Sequence, residues 1–173
     1  MPNVHQIISA HNKSTLATAA RPAEQVESNR TCNCKKNNTC PLEGKCLSSE
    51  IVYQATVTRH DNMKEETYVG LTENSFKTRY NGHTSTFRNE QQRNATALSQ
   101  FIWSLIDINV QYSIKWKILA HSKPYSTSSK RCNLCLTEKY FIICKPHMAT
   151  LNYRNELLSS CRHRSKHLLC NVS

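Results

Sequence analysis

The sequence predicts an α/β (α+β) fold: a small three-stranded antiparallel sheet flanked by about three helices, preceded by a cysteine-rich, zinc-binding segment. Three observations carry that prediction. Ile51-Val52-Tyr53-Gln54-Ala55-Thr56-Val57-Thr58 and Tyr68-Val69-Gly70 are built from β-branched and aromatic residues, and Tyr112, Ile114, Trp116 and Ile118 alternate with Ser113, Lys115 and Lys117. Leu98, Phe101, Ile102, Leu105 and Ile106 recur at i, i+3, i+4, i+7 and i+8, the spacing of an amphipathic helix. Cys32, Cys34, Cys40 and Cys46 crowd into one short polar stretch.

Taken in order, residues 1–30 are rich in Ser, Asn, Ala and Thr without a sustained period and read as a disordered leader, with room for a short helix around Thr15–Ala20. Residues 31–48 hold the four clustered cysteines among turn-forming Asn, Pro and Gly. Too few apolar groups lie there to keep the segment folded, and a tetrahedral Zn²⁺ would supply on the order of 10 kcal/mol. A single domain is expected over 49–158. Its first strand turns at Asp61-Asn62 and returns from Glu66 to Leu71 as a hairpin. A helix follows, opened by Thr72 or Asn74 as cap, with Phe76, Tyr80, His83 and Phe87 forming a buried stripe. Arg79 and His83, four residues apart, are neighbours on that helix. The helix of Leu98–Ile106 and the strand of Tyr112–Ile118 come next, then a Ser-rich loop over Lys123–Lys130. A third helix over 131–144 is stopped before Pro146. In it Glu138 falls in line with Leu134 and Phe141, a costly place for a carboxylate unless it is paired, hydrogen-bonded or metal-bound. Residues 159–173 form a basic tail.

Lys and Arg outnumber Asp and Glu by 23 to 12, a net charge of +11 that favours a polyanionic partner, nucleic acid above all. The start has no apolar signal segment and no stretch suits a membrane span, so the expected setting is intracellular and reducing, and nuclear for a DNA partner. Nine cysteines then suggest metal ligands; in a secreted chain they would suggest disulfides, which the odd number fits poorly. Two zinc arrangements compete. The N-terminal knuckle can close on itself with Cys32 or Cys34, Cys40 and Cys46, or it can borrow ligands from Cys132 and Cys135 or from Cys161, His163 and His167. Cys132-x2-Cys135 has ligand spacing but equally suits packing at a helix start. Cys144 and Cys170 are left as free thiols.

The order of Tyr53, Tyr68-Val69-Gly70, Arg79, His83, Glu138 and Asn152 resembles the GIY-YIG nuclease superfamily. Ile51-Val52-Tyr53 stands where the first triplet belongs and lacks its glycine; Tyr68-Val69-Gly70 matches the second closely. Cysteines ahead of the first triplet, the run Cys132-Asn133-Leu134-Cys135-Leu136-Thr137-Glu138 and the close Cys161-Arg162-His163 make the chain most similar to the endonuclease domain of Penelope-like retroelements. The resemblance spans Cys32 to Leu169. The reverse transcriptase that precedes such a domain in a full element is absent from these residues, so the chain reads as a truncated copy, a domesticated gene or a fragment.

The resemblance implies a metal-dependent DNA endonuclease that nicks target DNA for integration. Glu138 would hold Mg²⁺ or Mn²⁺, with most of the ion's shell left as water. Arg79 would grip the phosphate oxygens. Tyr53 and His83 would relay the proton of the attacking water, Tyr68 would orient it, and Asn152 would position a loop or metal water. Lys77, Arg154, Arg162, Arg164 and Lys166 would follow the DNA backbone. DNA is the expected partner, with the element's own RNA or reverse transcriptase beside it and no membrane. Taken singly, each residue has a plainer reading: strand aromatics for the tyrosines, a solvated helix charge for Arg79, a structural imidazole for His83, a paired carboxylate for Glu138. The alternative function is a zinc-stabilised nucleic-acid-binding module whose catalytic set is relict.

Overall fold

The fold is described from a computed structural model covering residues 4–20, 31–36, 39–124, 132–153 and 161. Its sheet has three antiparallel strands in the order β2-β1-β3: β1 (Ile51–Arg59), β2 (Glu65–Thr72) and β3 (Tyr112–His121). The central position of β1 follows from its sequence. Every residue from Ile51 to Ala55 is buried, as expected of a strand packed on both faces. The polar member of that run, Gln54, is satisfied because its side-chain amide donates to the Met148 carbonyl at 2.6 Å. Over Tyr112–Ile118 the half-buried and exposed residues of β3 alternate as the sequence predicted, and beyond it Leu119 and Ala120 pack on the face that carries the second core cluster. In the hairpin turn Asn62 accepts the Lys64 N–H at 2.9 Å, and Arg59 pairs with Asp61.

The two faces of the sheet carry different helices. On one, Ile51, Tyr53, Ala55, Val57 and Tyr68 pack with Phe76 of α2 (Phe76–Thr86) and with Leu98, Ile102 and Leu105 of α3 (Ala97–Asp107). On the other, Val52 and Val69 pack with Leu134, Phe141 and Ile142 of α4 (Asn133–Cys144). The helices expected here are present, joined by α1 (Val4–Ala20), which extends well beyond the short helix expected around Thr15–Ala20. Val4 and Ile7 at its start are exposed, and Ile8 is its buried apolar residue among those described. That leaves little periodic signal to read. The expected loop over Lys123–Lys130 falls mostly outside the described residues.

Two expectations need correction at helix α2 and helix α3. The cap of α2 is Ser75, whose side chain accepts the Thr78 N–H, whereas Thr72 ends β2 and turns its hydroxyl to the Asn74 carbonyl. Thr, Asn and Ser all cap well, so composition could not choose among three neighbours. Ile106, placed on the apolar stripe of α3, is 40% exposed, because the helix rests on the sheet along Leu98, Ile102 and Leu105. α3 is fastened at its start by a capping box between Thr96 and Ser99, and to α2 by Trp103 Nε1 donating to the Thr86 carbonyl at 2.9 Å. No helix among the described residues is long and apolar enough to cross a membrane.

Candidate functional site

The hairpin and α2 meet at Tyr53. Its ring is fully buried, and its hydroxyl oxygen lies 2.8 Å from His83 Nε2 and 2.9 Å from the donating Arg79 Nε. Register explains why a glycine stands opposite. Tyr53 pairs with Gly70 across β1 and β2, and a Cβ on Gly70 would sit 2.6 Å from the Tyr53 hydroxyl oxygen and 2.8 Å from its Cζ. The glycine of Tyr68-Val69-Gly70 is therefore a cradle for the other tyrosine, a role hidden in the sequence until the strand register is known. Tyr68, which is 7% exposed, is hydrogen-bonded to Arg79 as well. His83, 2% exposed, is walled by Tyr53, Tyr68, Phe87 and Trp116.

The protonation states follow from these surroundings. Burial, seconded by the charge of Arg79, pushes the His83 imidazole down to about 3, so the ring is neutral. Burial raises the Tyr53 phenol to about 12 against the opposing pull of Arg79, and the Glu138 charge adds to the rise. Arg79 would be lowered by burial, but the two phenols more than offset this and its pKa stays raised. A neutral phenol that accepts from Arg79 has one proton to place. Nε2 of the neutral imidazole is the acceptor beside it, which puts the imidazole proton on Nδ1. The result is a directed chain from guanidinium to phenol to imidazole, with the plane of the guanidinium fixed by its Nε.

Tyr53, Tyr68, Arg79 and His83 are thus brought together as one group. Glu138 belongs to α4, on the other face of the sheet, half-buried between Leu134 and Phe141, and its charge reaches the Tyr53 phenol. Asn152 lines the β2 edge: its Oδ1 accepts the Val69 N–H at 2.8 Å and its Nδ2 donates to the Val69 carbonyl at 2.9 Å. With Leu151 N–H on the Thr67 carbonyl, it satisfies backbone groups an edge strand would otherwise leave open. Asn152 therefore holds the strand between Tyr68 and Gly70. Lys77, expected on DNA, turns its ammonium to Asn33 in the cysteine segment. Arg154, Arg162, Arg164, Lys166, His163 and His167 lie outside the described residues.

The cysteines fall into two clusters. Cys32, Cys34, Cys40 and Cys46 have their sulfurs within 4.8 Å of one another, as do Cys132, Cys135 and Cys161, and each group can hold a metal ion. In the first, Cys46 lies 3.5 Å from Cys32 and 3.7 Å from Cys34, near the edge of about 3.8 Å that four sulfurs make around a tetrahedral zinc. Burial would raise Cys40, yet the N–H groups of Leu42 and Gly44 and the thiols of Cys32 and Cys46 bring it down to about 6. Burial pushes Cys46 up to about 12 and raises Cys34. Without a cation the cluster thus favours one thiolate, and a metal would be needed to hold the others deprotonated. Of the two competing arrangements, the self-closed segment is the one the geometry favours. Cys132 serves as the cap of α4, its sulfur accepting the Cys135 N–H at 3.5 Å. Cys161 joins Cys132 and Cys135 there, not the N-terminal segment. Cys144 is exposed and stands apart from both clusters.

No protein-family model, curated protein or solved structure matches the chain. The chemistry available is therefore read from the arrangement alone: a guanidinium held rigid by two phenols, a neutral buried imidazole behind it, a carboxylate on the helix across the sheet, and soft sulfur clusters at the starts of α2 and α4.

Proposed function

We propose that the chain is a metal-dependent DNA endonuclease of the GIY-YIG type, of Penelope-like retroelement origin, that nicks target DNA. The observation that carries this reading is the chain Arg79 Nε–Tyr53 Oη–His83 Nε2, buried and flanked by Tyr68. Arg79 anchored in this way is an oriented cation for the non-bridging oxygens of a phosphodiester. Glu138 offers one hard carboxylate, which suits Mg²⁺ or Mn²⁺ that keeps most of its water. An ion held there would supply charge neutralisation to a phosphodiester and its leaving oxygen.

The residues of the chain handle the proton. Near neutrality His83 and Tyr53 both resist ionisation in the free protein, so neither is a ready base. A phosphate drawn to Arg79 cancels part of the positive charge that helps hold His83 down. The imidazole and the phenol, both held down by that charge, then become more basic once substrate is bound. The water gives its proton to the Tyr53 oxygen as the Tyr53 proton passes to His83 Nε2 through the existing hydrogen bond. This leaves hydroxide to attack phosphorus and His83 as imidazolium. Tyr68, nearer the surface, orients the water. The basic balance of the chain supports attraction to the DNA backbone.

One observation favours a second reading, a zinc-stabilised nucleic-acid-binding module. The Tyr53 hydroxyl is fully buried and already engaged by two side chains, as it would be in a purely structural network. A plasmid-nicking assay with Mg²⁺ separates the two. The nuclease reading expects nicking by the native chain, a loss of roughly 100-fold or more in Glu138→Ala and in Arg79→Ala, and an unchanged gel shift for Glu138→Ala. Native protein that shifts DNA but does not nick it overturns the nuclease reading and leaves the binding module.

A further inference from the structure

We infer that Cys132, Cys135 and Cys161 form a second, independent zinc site that ties Cys161 to the start of α4. Three thiol sulfurs lie within 4.8 Å of one another, and three sulfurs supply three corners of a tetrahedral zinc shell of the kind structural sites use. Soft sulfur donors select zinc over the hard ions proposed for Glu138. The first turn of α4 preorganises two of the ligands, since the Cys135 N–H on the Cys132 sulfur fixes the Cys132-x2-Cys135 turn. Cys161 comes from elsewhere. It follows Asn152 by nine residues, and Asn152 is itself fastened to Val69. A third thiol meeting two others after such a path is not explained by local helix capping.

The site has a structural consequence. The loop it closes, from Cys132 to Cys161, contains all of α4 with Glu138, the turn Pro146–Met148 and Asn152. The first cluster does the same for the other face of the sheet. There the N–H groups of Phe76 and Lys77, the first residues of α2, donate to the Ser48 and Cys46 carbonyls at 2.8 Å each. Each helix that carries a charged candidate residue, Arg79 or Glu138, therefore starts at its own cysteine cluster. Two ions hold two helices, one on each face.

The test measures zinc in freshly purified full-length protein by elemental analysis, together with amide exchange on α4. Two zinc ions per chain are expected for the native protein, one for Cys161→Ser, and two for Cys161→His, which restores a ligand. In Cys161→Ser the first turns of α4 should exchange about ten-fold faster while α2 is unchanged, as local release of one element implies. A single zinc in the native chain overturns the inference, as do two zinc ions in Cys161→Ser or a peptide map that finds Cys132 and Cys135 joined by a disulfide. Should Cys161→Ser fail to fold, the native stoichiometry still decides. None of these readouts involves DNA, so the site stands or falls separately from nuclease activity.

Discussion

At Tyr53, three side chains and one missing side chain determine one another. The phenol occupies the space a Cβ on Gly70 would need, and Arg79 and His83 close over it. Gly70→Ala should therefore cost stability by about 1–3 kcal/mol through overpacking, even though alanine suits a strand better than glycine does. Chemical denaturation reads this directly, and an unchanged or raised midpoint would show that the ring yields freely. His83 makes a second prediction, on pH. Its folded pKa of about 3 lies below the ordinary value of 6.5. The unfolded chain thus binds the extra proton first, and stability falls as pH drops below 6.5. Protonating an ordinary histidine in the unfolded state at pH 5 while the folded one stays neutral costs roughly 2 kcal/mol relative to pH 8. Replacing His83 by Gln, which can still accept from Tyr53, should remove that component. Equal pH slopes for native and His83→Gln protein would mean the imidazole titrates normally in the fold.

At the level of elements, the strands and helices were legible because their patterns are local. β3 shows its alternation in Tyr112, Ile114, Trp116 and Ile118, and β1 shows its double burial in an apolar run broken by one glutamine. What sequence could not supply was pairing between distant segments: Gly70 against Tyr53, Asn152 against Val69, Cys161 against Cys132 and Cys135. Each depends on register or chain path, and neither leaves a local signature. The site was read in the same proportion. Tyr53, Tyr68, Arg79 and His83 were named from their order along the chain, while the reason for Gly70 and the separate grouping of the second cysteine cluster came only with the fold. The cysteine segment also acts as an element, because its carbonyls receive the first N–H groups of α2. Four sulfurs without a metal cannot hold so polar a stretch, so stripping zinc should release the start of α2. In Cys40→Ser, or after chelation, amide exchange should quicken at Phe76–Arg79 while α3, fastened by its Thr96–Ser99 box, keeps its protection. Uniform loss of protection across α2 and α3 would instead make the knuckle part of the global fold.

Over the whole molecule, the charge balance makes a claim that the fold does not. If the chain binds DNA as proposed, its excess of eleven positive charges should show itself in how that binding responds to salt, because each phosphate neutralised releases condensed counterions and contributes about −0.9 to the slope of log K against log salt. On the proposed nuclease reading Arg79, held by its phenols, would supply one fixed phosphate contact. On the same reading Arg162, Arg164 and Lys166 would supply contacts that carry affinity without reading bases. Replacing those three by Gln should flatten the slope by roughly 3 and weaken binding at low salt alike for any duplex sequence. It should leave both zinc ions in place, since Cys161 is untouched. Nicking at saturating protein should persist, because the substitutions remove attraction and not the phosphate site. A slope that does not change would assign the DNA-facing charge to the folded domain, where β3 exposes Lys115 and Lys117 on the face that also carries α4.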